Sequence, residues 1–199
     1  FAGAKTTYHR PLRAGDEIRR EGVIESIVEK QGRTGPLVFV KTVLKIHGED
    51  GEHAVTEEQD VVYRELDTSG QTPPPVPSEI SEPEWRRTIS PSPVMLFRYS
   101  ALTFNNHRIH YDQPYTTQEE GYPGLLVHGP LIATCLAELV RDSAPDRTVH
   151  SFAYRAMSPL YATSDFELVG AMDPGGEGCR VEAIGPDGGV AMAATVAFK

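Results

Sequence analysis

The sequence predicts an α+β chain in which an antiparallel sheet wraps a single long helix and the strand pattern occurs twice. Three observations carry this prediction. Apolar residues alternate with a period of two in strand-like segments, most cleanly in Val190, Met192, Ala194, Val196 and Phe198. One stretch, Gly129–Arg141, instead repeats Leu131, Ile132, Cys135, Leu136, Leu139 and Val140 at helical spacing. Two segments share an order: RPLRAGDEI from Arg10 and SPLYATSDFEL from Ser158 each precede strand, turn, strand, turn, strand. Pro11-Leu12-x-Ala14 matches Pro159-Leu160-x-Ala162, a weak internal repeat.

Taken in order, the first segment predicts strands over Ile18–Glu29, Leu37–Ile46 and His53–Glu65, separated by the turns QGRTGP and GEDG. Val38, Val40, Leu44 and Ile46 share one face of the second strand, with Lys41 and Lys45 opposite. No amphipathic helix is visible here. Asp67–Pro83 (DTSGQTPPPVPSEISEP) is proline-rich and polar, so it predicts an extended linker. Residues 1–66 are therefore the strand-rich part of a first copy, 67–84 the linker and 85–199 the second copy. In the second copy Trp85–Met95 is predicted extended. Pro130 suits the first turn of the Gly129 helix. Strands follow over Phe152–Met157, Asp165–Met172, Cys179–Ile184 and Val190–Phe198, with DPGGEG and PDGG as turns.

One helix wrapped by an antiparallel sheet is the hotdog layout. The first copy lacks a helix before its strands, and half a hotdog leaves its sheet uncovered. The expectation is missing upstream sequence, or a complementary hotdog segment supplied by another chain.

Bulk properties exclude several classes. The 199 residues carry 28 acidic and 19 basic side chains, a net charge of −9, and no strongly basic stretch, so nucleic acid is not an expected partner. The two cysteines form no C-x-x-C, which argues against a zinc or disulfide framework and favours a reducing compartment. The most apolar window, Tyr122–Val140, is interrupted by His128 and Glu138 and is too short to be expected to cross a bilayer, and the first residues given show no signal-peptide pattern. The expected location is cytoplasmic, or the mitochondrial matrix in a eukaryote.

Tyr99–Tyr115 (YSALTFNNHRIHYDQPY) concentrates two histidines, two asparagines, an arginine and an aspartate after an apolar run. Hydrating an α,β-unsaturated thioester needs a base for water, a proton for Cα and donors for the thioester oxygen. His110 has the pKa range for that transfer. The helix beginning at Gly129 offers free N–H groups and a positive dipole end. Other roles stay open: His110 as a hydrogen-bonded structural histidine, Asn105 as a turn cap, and Asp112 as a helix N-cap or a partner of the site. His107 would touch water or brace the loop, and His128 would position the helix start.

RYSALTFNNHRIHYD from Arg98, with EGYPGLLVHGPL, resembles the MaoC-like hydratase/dehydratase family. It is closest to the branch of mesaconyl-CoA and itaconyl-CoA hydratases and the mitochondrial-type 3-hydroxyacyl-thioester dehydratase. HRPLRAGD, QGRTGPLVFV and TEEQDVVYRE extend the likeness over most of the chain. The resemblance implies a double hotdog whose first copy is non-catalytic, and a carbon–oxygen lyase needing no metal or organic cofactor. It implies an acyl-CoA or acyl-carrier thioester as substrate, and a homodimer as one possible assembly. The family motif runs Gly-Asp-x-Asn-Pro-x-His-x-Asp. His110 falls on its histidine, Asn105 on its aspartate, His107 on its asparagine and Arg108 on its proline. Asn105 can orient water but cannot take a proton. Gly129 is, by resemblance, the oxyanion donor. Tyr99 belongs to the same stretch. Arg98, Arg108 and Arg155 are candidates for a carboxylate or for CoA phosphates. Dehydration of a 3-hydroxyacyl-carrier protein, thioester hydrolysis and a non-catalytic binding hotdog are the alternatives.

Overall fold

The computed structural model of the chain describes residues 2–32, 35–64 and 74–199. Among them nine strands hydrogen-bond in the order β2-β3-β4-β1-β6-β9-β8-β7-β5. They are β1 (Gly3–Tyr8), β2 (Arg19–Gly32), β3 (Gly35–His47), β4 (His53–Arg64), β5 (Trp85–Ile89), β6 (Val149–Ala156), β7 (Phe166–Met172), β8 (Gly178–Ile184) and β9 (Val190–Phe198). Two α-helices are present among the described residues, α1 (Pro93–Thr103) and α2 (Gly129–Ser143). The chain forms two compact units. The first comprises residues 1–74, 147–155 and 195–199, the second 75–146 and 156–194.

In the first unit β2, β3, β4, β1 and β6 pair in sequence, antiparallel at every registered contact. The predicted strands are there, β2 and β3 running beyond their expected ends and β4 starting at His53 as predicted, and β1 is an addition. The QGRTGP turn falls partly outside the described residues, at Arg33 and Thr34; Gly32 and Gly35 face each other as strand partners. No helix lies in this unit among the described residues, as the sequence predicts. Leu44 is buried, but Val23, Ile24, Ile27 and Val28 of β2 are exposed.

The second unit holds β5, β7, β8 and the start of β9, with α2 packed on β7 and β8. The predicted helical face is the buried one: Leu131, Ile132, Ala133, Cys135, Leu136, Leu139 and Val140. Each fully buried aliphatic side chain contributes roughly 1.5–3 kcal/mol over leaving it exposed. The extended segment expected to reach Met95 ends at Ile89, because a second helix begins at Pro93. The local chemistry favours it: the Ser92 hydroxyl accepts from the Met95 N–H, and proline occupies the first turn. Residues 65–73, which include the start of the predicted linker, lie outside the described residues. Beyond them, the Glu182 carboxylate accepts from the Ser78 hydroxyl and the Glu79 N–H, holding the linker's end on β8.

The internal repeat holds at the level of single hydrogen bonds. Ala54 O accepts from the N–H groups of His9 and Arg10 at 2.9 and 3.2 Å, and Ala191 O accepts from those of Met157 and Ser158 at 2.8 and 3.2 Å. The Gly48–Glu52 turn closes through Gly48 N to Glu52 O at 3.0 Å, and Gly185 N to Gly189 O closes its counterpart at 2.8 Å. In each turn an aspartate, Asp50 or Asp187, accepts from the N–H two residues on at 3.0 Å. The residue after it is a left-handed glycine, Gly51 at φ 78° or Gly188 at φ 79°. Within the first unit the equivalent strands β1 and β6 pair with Lys5 opposite Ala153.

Candidate active site

The YSALTFNNHRIHYD stretch lies in the second unit and starts as the last turn of α1. That helix stops at Phe104, which is left-handed at φ 52°, ψ 32°. Its N–H donates to Ala101 O, and the Asn105 N–H donates to Ser100 O at 2.9 Å. The reversal turns Asn105 and its neighbours back across the helix end. Asn105 Oδ1 accepts from the His107 N–H at 3.0 Å, so part of its work is to shape this turn. A single 3₁₀ turn, Arg108–His110, then carries the histidine inward.

His110 is buried at 7% exposure. Its Nδ1 lies 2.8 Å from Leu126 O. A carbonyl oxygen only accepts, so Nδ1 carries the proton and Nε2 holds the free lone pair. Leu126 is fixed by main-chain bonds around it. Its N–H donates to Ile109 O at 3.0 Å, the Val127 N–H to Leu160 O at 2.8 Å, and the Ala162 N–H to Leu125 O at 2.8 Å. Leu126 also bridges Tyr161. A Cβ at Gly124 would sit 2.6 Å from Thr163 Cγ2, so glycine is required for this segment to pack so closely. Burial pushes the His110 pKa below the ordinary histidine value; the Leu126 carbonyl opposes this and the nearby His107 adds to it. The imidazole is therefore neutral near pH 7, the form a base needs.

His128 stacks on His110, with ring centroids 3.7 Å apart and planes 17° apart. It is 1% exposed. Its Nε2 shares a hydrogen bond of 2.8 Å with Ser100 Oγ, while its Nδ1 is buried without a partner. Burial, aided by His110, lowers its pKa to about 4. His128 is also the N-cap of α2, but its side chain caps nothing. The Gly129 and Leu131 N–H groups at the helix start therefore have no side-chain cap, and Pro130 has no N–H to offer.

The remaining candidates divide. His107 is exposed, edge-on to His110 with centroids 5.7 Å apart. The Tyr99 and His128 ring centroids lie 4.9 Å apart. Arg108 is tied to Asp112, with Nε and Nη2 reaching Oδ2 at 3.0 and 2.8 Å, and lies over the Tyr115 ring at 4.0 Å. Asp112 Oδ1 also accepts from the Tyr115 N–H at 3.2 Å, so this carboxylate braces the turn that follows as well as pairing with Arg108. Arg98 is exposed on α1. Arg155 lies in β6 of the first unit, opposite Gly3. Sequence reasoning missed Ser100; its spacing from His128 gave no signal. Cys135 and Cys179 are buried and burial raises both thiols, Cys179 to about 12, which leaves neither as a ready nucleophile. Among the described residues no group of three or more His, Cys, Asp or Glu is placed to hold a metal, and no helix is long and apolar enough to cross a membrane.

The profile of the hydroxyacyl-thioester dehydratase type 2 family matches residues 1–162. The chain belongs to that family. It is 47% identical over 196 residues to a mesaconyl-C(4)-CoA hydratase of Chloroflexus aurantiacus, covering 98% of this chain and 69% of the relative. It is 32% identical over 121 residues to the mitochondrial hydroxyacyl-thioester dehydratase type 2 of Schizosaccharomyces pombe, covering 60% of this chain and 40% of the relative. The solved MaoC-like dehydratase of Phytophthora capsici superposes with a TM-score of 0.76 at 16% identity, over 100% of this chain and 70% of that one. At that identity the likeness shows the fold alone, the MaoC-like hotdog.

Proposed function

We propose that this chain adds water reversibly to an enoyl-CoA thioester, with a short branched dicarboxylic acyl group of the mesaconyl-C4 type as substrate. The chain is a carbon–oxygen lyase by family, and the substrate class rests on the Chloroflexus relative. One observation carries the mechanism: a buried, neutral His110 whose tautomer is set by the Leu126 carbonyl, so that Nε2 is the basic atom.

His110 Nε2 takes a proton from water as the water oxygen bonds to the β-carbon of the thioester. The C=C pair shifts to Cα, and charge builds on the thioester oxygen. The Gly129 N–H, uncapped at the start of α2, receives that charge. The imidazolium then returns the proton to Cα, which completes hydration; the reverse sequence is dehydration. Asn105 orients the water through its amide and takes no proton. The second copy is the catalytic hotdog and the first is non-catalytic. No metal or organic cofactor takes part.

The test follows loss of enoyl-thioester absorbance with purified protein on mesaconyl-C4-CoA, itaconyl-CoA and crotonyl-CoA. His110→Ala is expected to lower kcat by about 10²–10⁴-fold while the fold survives. Near-normal turnover in that variant would overturn the assignment.

A further inference from the structure

We propose that Ser100 and His128 are a positioning pair for His110: the Ser100 hydroxyl sets the His128 ring plane, and that ring, stacked face to face, holds His110 in its reactive orientation. The proposal rests on the reading of His110 as the proton-transfer group.

A single hydrogen bond, from Nδ1 to the Leu126 carbonyl, fixes the tautomer of His110 but leaves its ring free to swing about that bond. The stacked ring of His128, 3.7 Å away and 17° from parallel, blocks that swing. His128 is itself fixed twice. Its backbone is the N-cap of α2, and its Nε2 is bonded to Ser100. Ser100 sits in the last turns of α1, where its own carbonyl also accepts from the Asn105 N–H. One residue therefore sets both the turn that carries the site and the plane of the stacking ring.

Packing alone does not account for a histidine at this position. A buried ring nitrogen with no partner is unfavourable, and an aromatic hydrocarbon ring would fill similar space without it. What a hydrocarbon ring lacks is the bond to Ser100 that sets its rotation. A neutral aromatic face is also a favourable neighbour for an imidazolium, the form His110 takes between its two proton transfers. The low pKa of His128 keeps it neutral and stops it from competing for that proton.

The experiment measures kcat and KM on mesaconyl-C4-CoA for Ser100→Ala, Ser100→Thr and His128→Phe, alone and in a His110→Ala background, with thermal unfolding of each. Ser100→Ala is expected to lower kcat about tenfold with KM little changed, since loss of orientation rather than of binding is at stake. Ser100→Thr, which keeps the hydroxyl, should recover most of that loss. His128→Phe keeps a stacking ring but not its anchor and should resemble Ser100→Ala. In the His110→Ala background none of the three should matter further. Wild-type kcat in both Ser100→Ala and His128→Phe would overturn the pair, as would an undiminished effect in the His110→Ala background. Turnover surviving in His110→Ala itself would instead overturn the assignment of the base.

Discussion

Phe104 offers a clean test of how the site is braced. It is the one non-glycine residue with positive φ among those described, at φ 52°, ψ 32°, one position before Asn105, where the family motif carries glycine. A side chain in the left-handed region costs roughly 1–2 kcal/mol. Replacing it by glycine removes that cost but adds about 0.5–1 kcal/mol of unfolded-chain entropy. The Phe104 ring is 95% exposed, so little burial is lost with it. Both bonds that end α1, from the Phe104 N–H to Ala101 and from the Asn105 N–H to Ser100, are main-chain and survive the change. Phe104→Gly should therefore stabilise the protein by about 0.5–1 kcal/mol, a rise in Tm of roughly 1–4 °C for a chain of this size. Phe104→Ala keeps the strain and should stay within about 0.5 kcal/mol of wild type. Urea unfolding followed by circular dichroism reads both. A destabilised glycine variant with an unaltered m-value would refute the reasoning, because the exposed ring would then be holding something in place.

Three further expectations follow from the histidines and Asn105. Because burial lowers the His110 pKa, kcat/KM should be flat through neutral pH and fall only below the ordinary histidine value of about 6.5; a pH–rate profile with an acid limb above that value would contradict a buried neutral base. His128 bears on stability with the same sign: unfolded it binds a proton near pH 6.5, folded only near 4. Stability is thus full above about pH 6.5 and declines toward pH 4 by on the order of 3 kcal/mol, and a His128→Phe variant should show a shallower decline in unfolding titrations. Asn105→Asp should keep turnover within roughly tenfold and move the acid limb upward, since a carboxylate nearby favours the imidazolium; complete loss of activity in a folded variant would mean that the amide N–H₂ is the group in use.

The parts of this fold that are legible in the sequence are those where one physical signal dominates. Leu131, Ile132, Cys135, Leu136, Leu139 and Val140 lie on a buried helix face, and their spacing says so directly. The Asp50-Gly51 and Asp187-Gly188 turns declare themselves because a left-handed residue calls for glycine. By contrast, α1 is apolar around much of its circumference, with Val94, Phe97 and Leu102 exposed, so its periodicity is blurred. Ser92 followed by Pro93 was the usable signal, a capping residue before a first-turn proline. β1 (GAKTTY) lacks a clean alternation and owes its existence to pairing on both sides, with β4 and β6. In the site, His110 stands out by its neighbours in the chain. The Ser100–His128 bond spans 28 residues and the stacking of His128 on His110 spans 18, and no local pattern encodes either.

The Leu126 carbonyl has a consequence for how such a site responds to mutation. The oxygen that selects the His110 tautomer belongs to the main chain, and every side chain supplies the same oxygen. Leu126→Ala would register only the loss of a half-buried side chain and pass over the atom that matters. Substitutions that redirect the backbone are the sensitive ones. Leu126→Pro deletes the N–H bonded to Ile109, and a side chain at Gly124 collides with Thr163. Which nitrogen bears the proton is thus inherited through the path of the chain, and residue identity at 126 is free to drift without changing it.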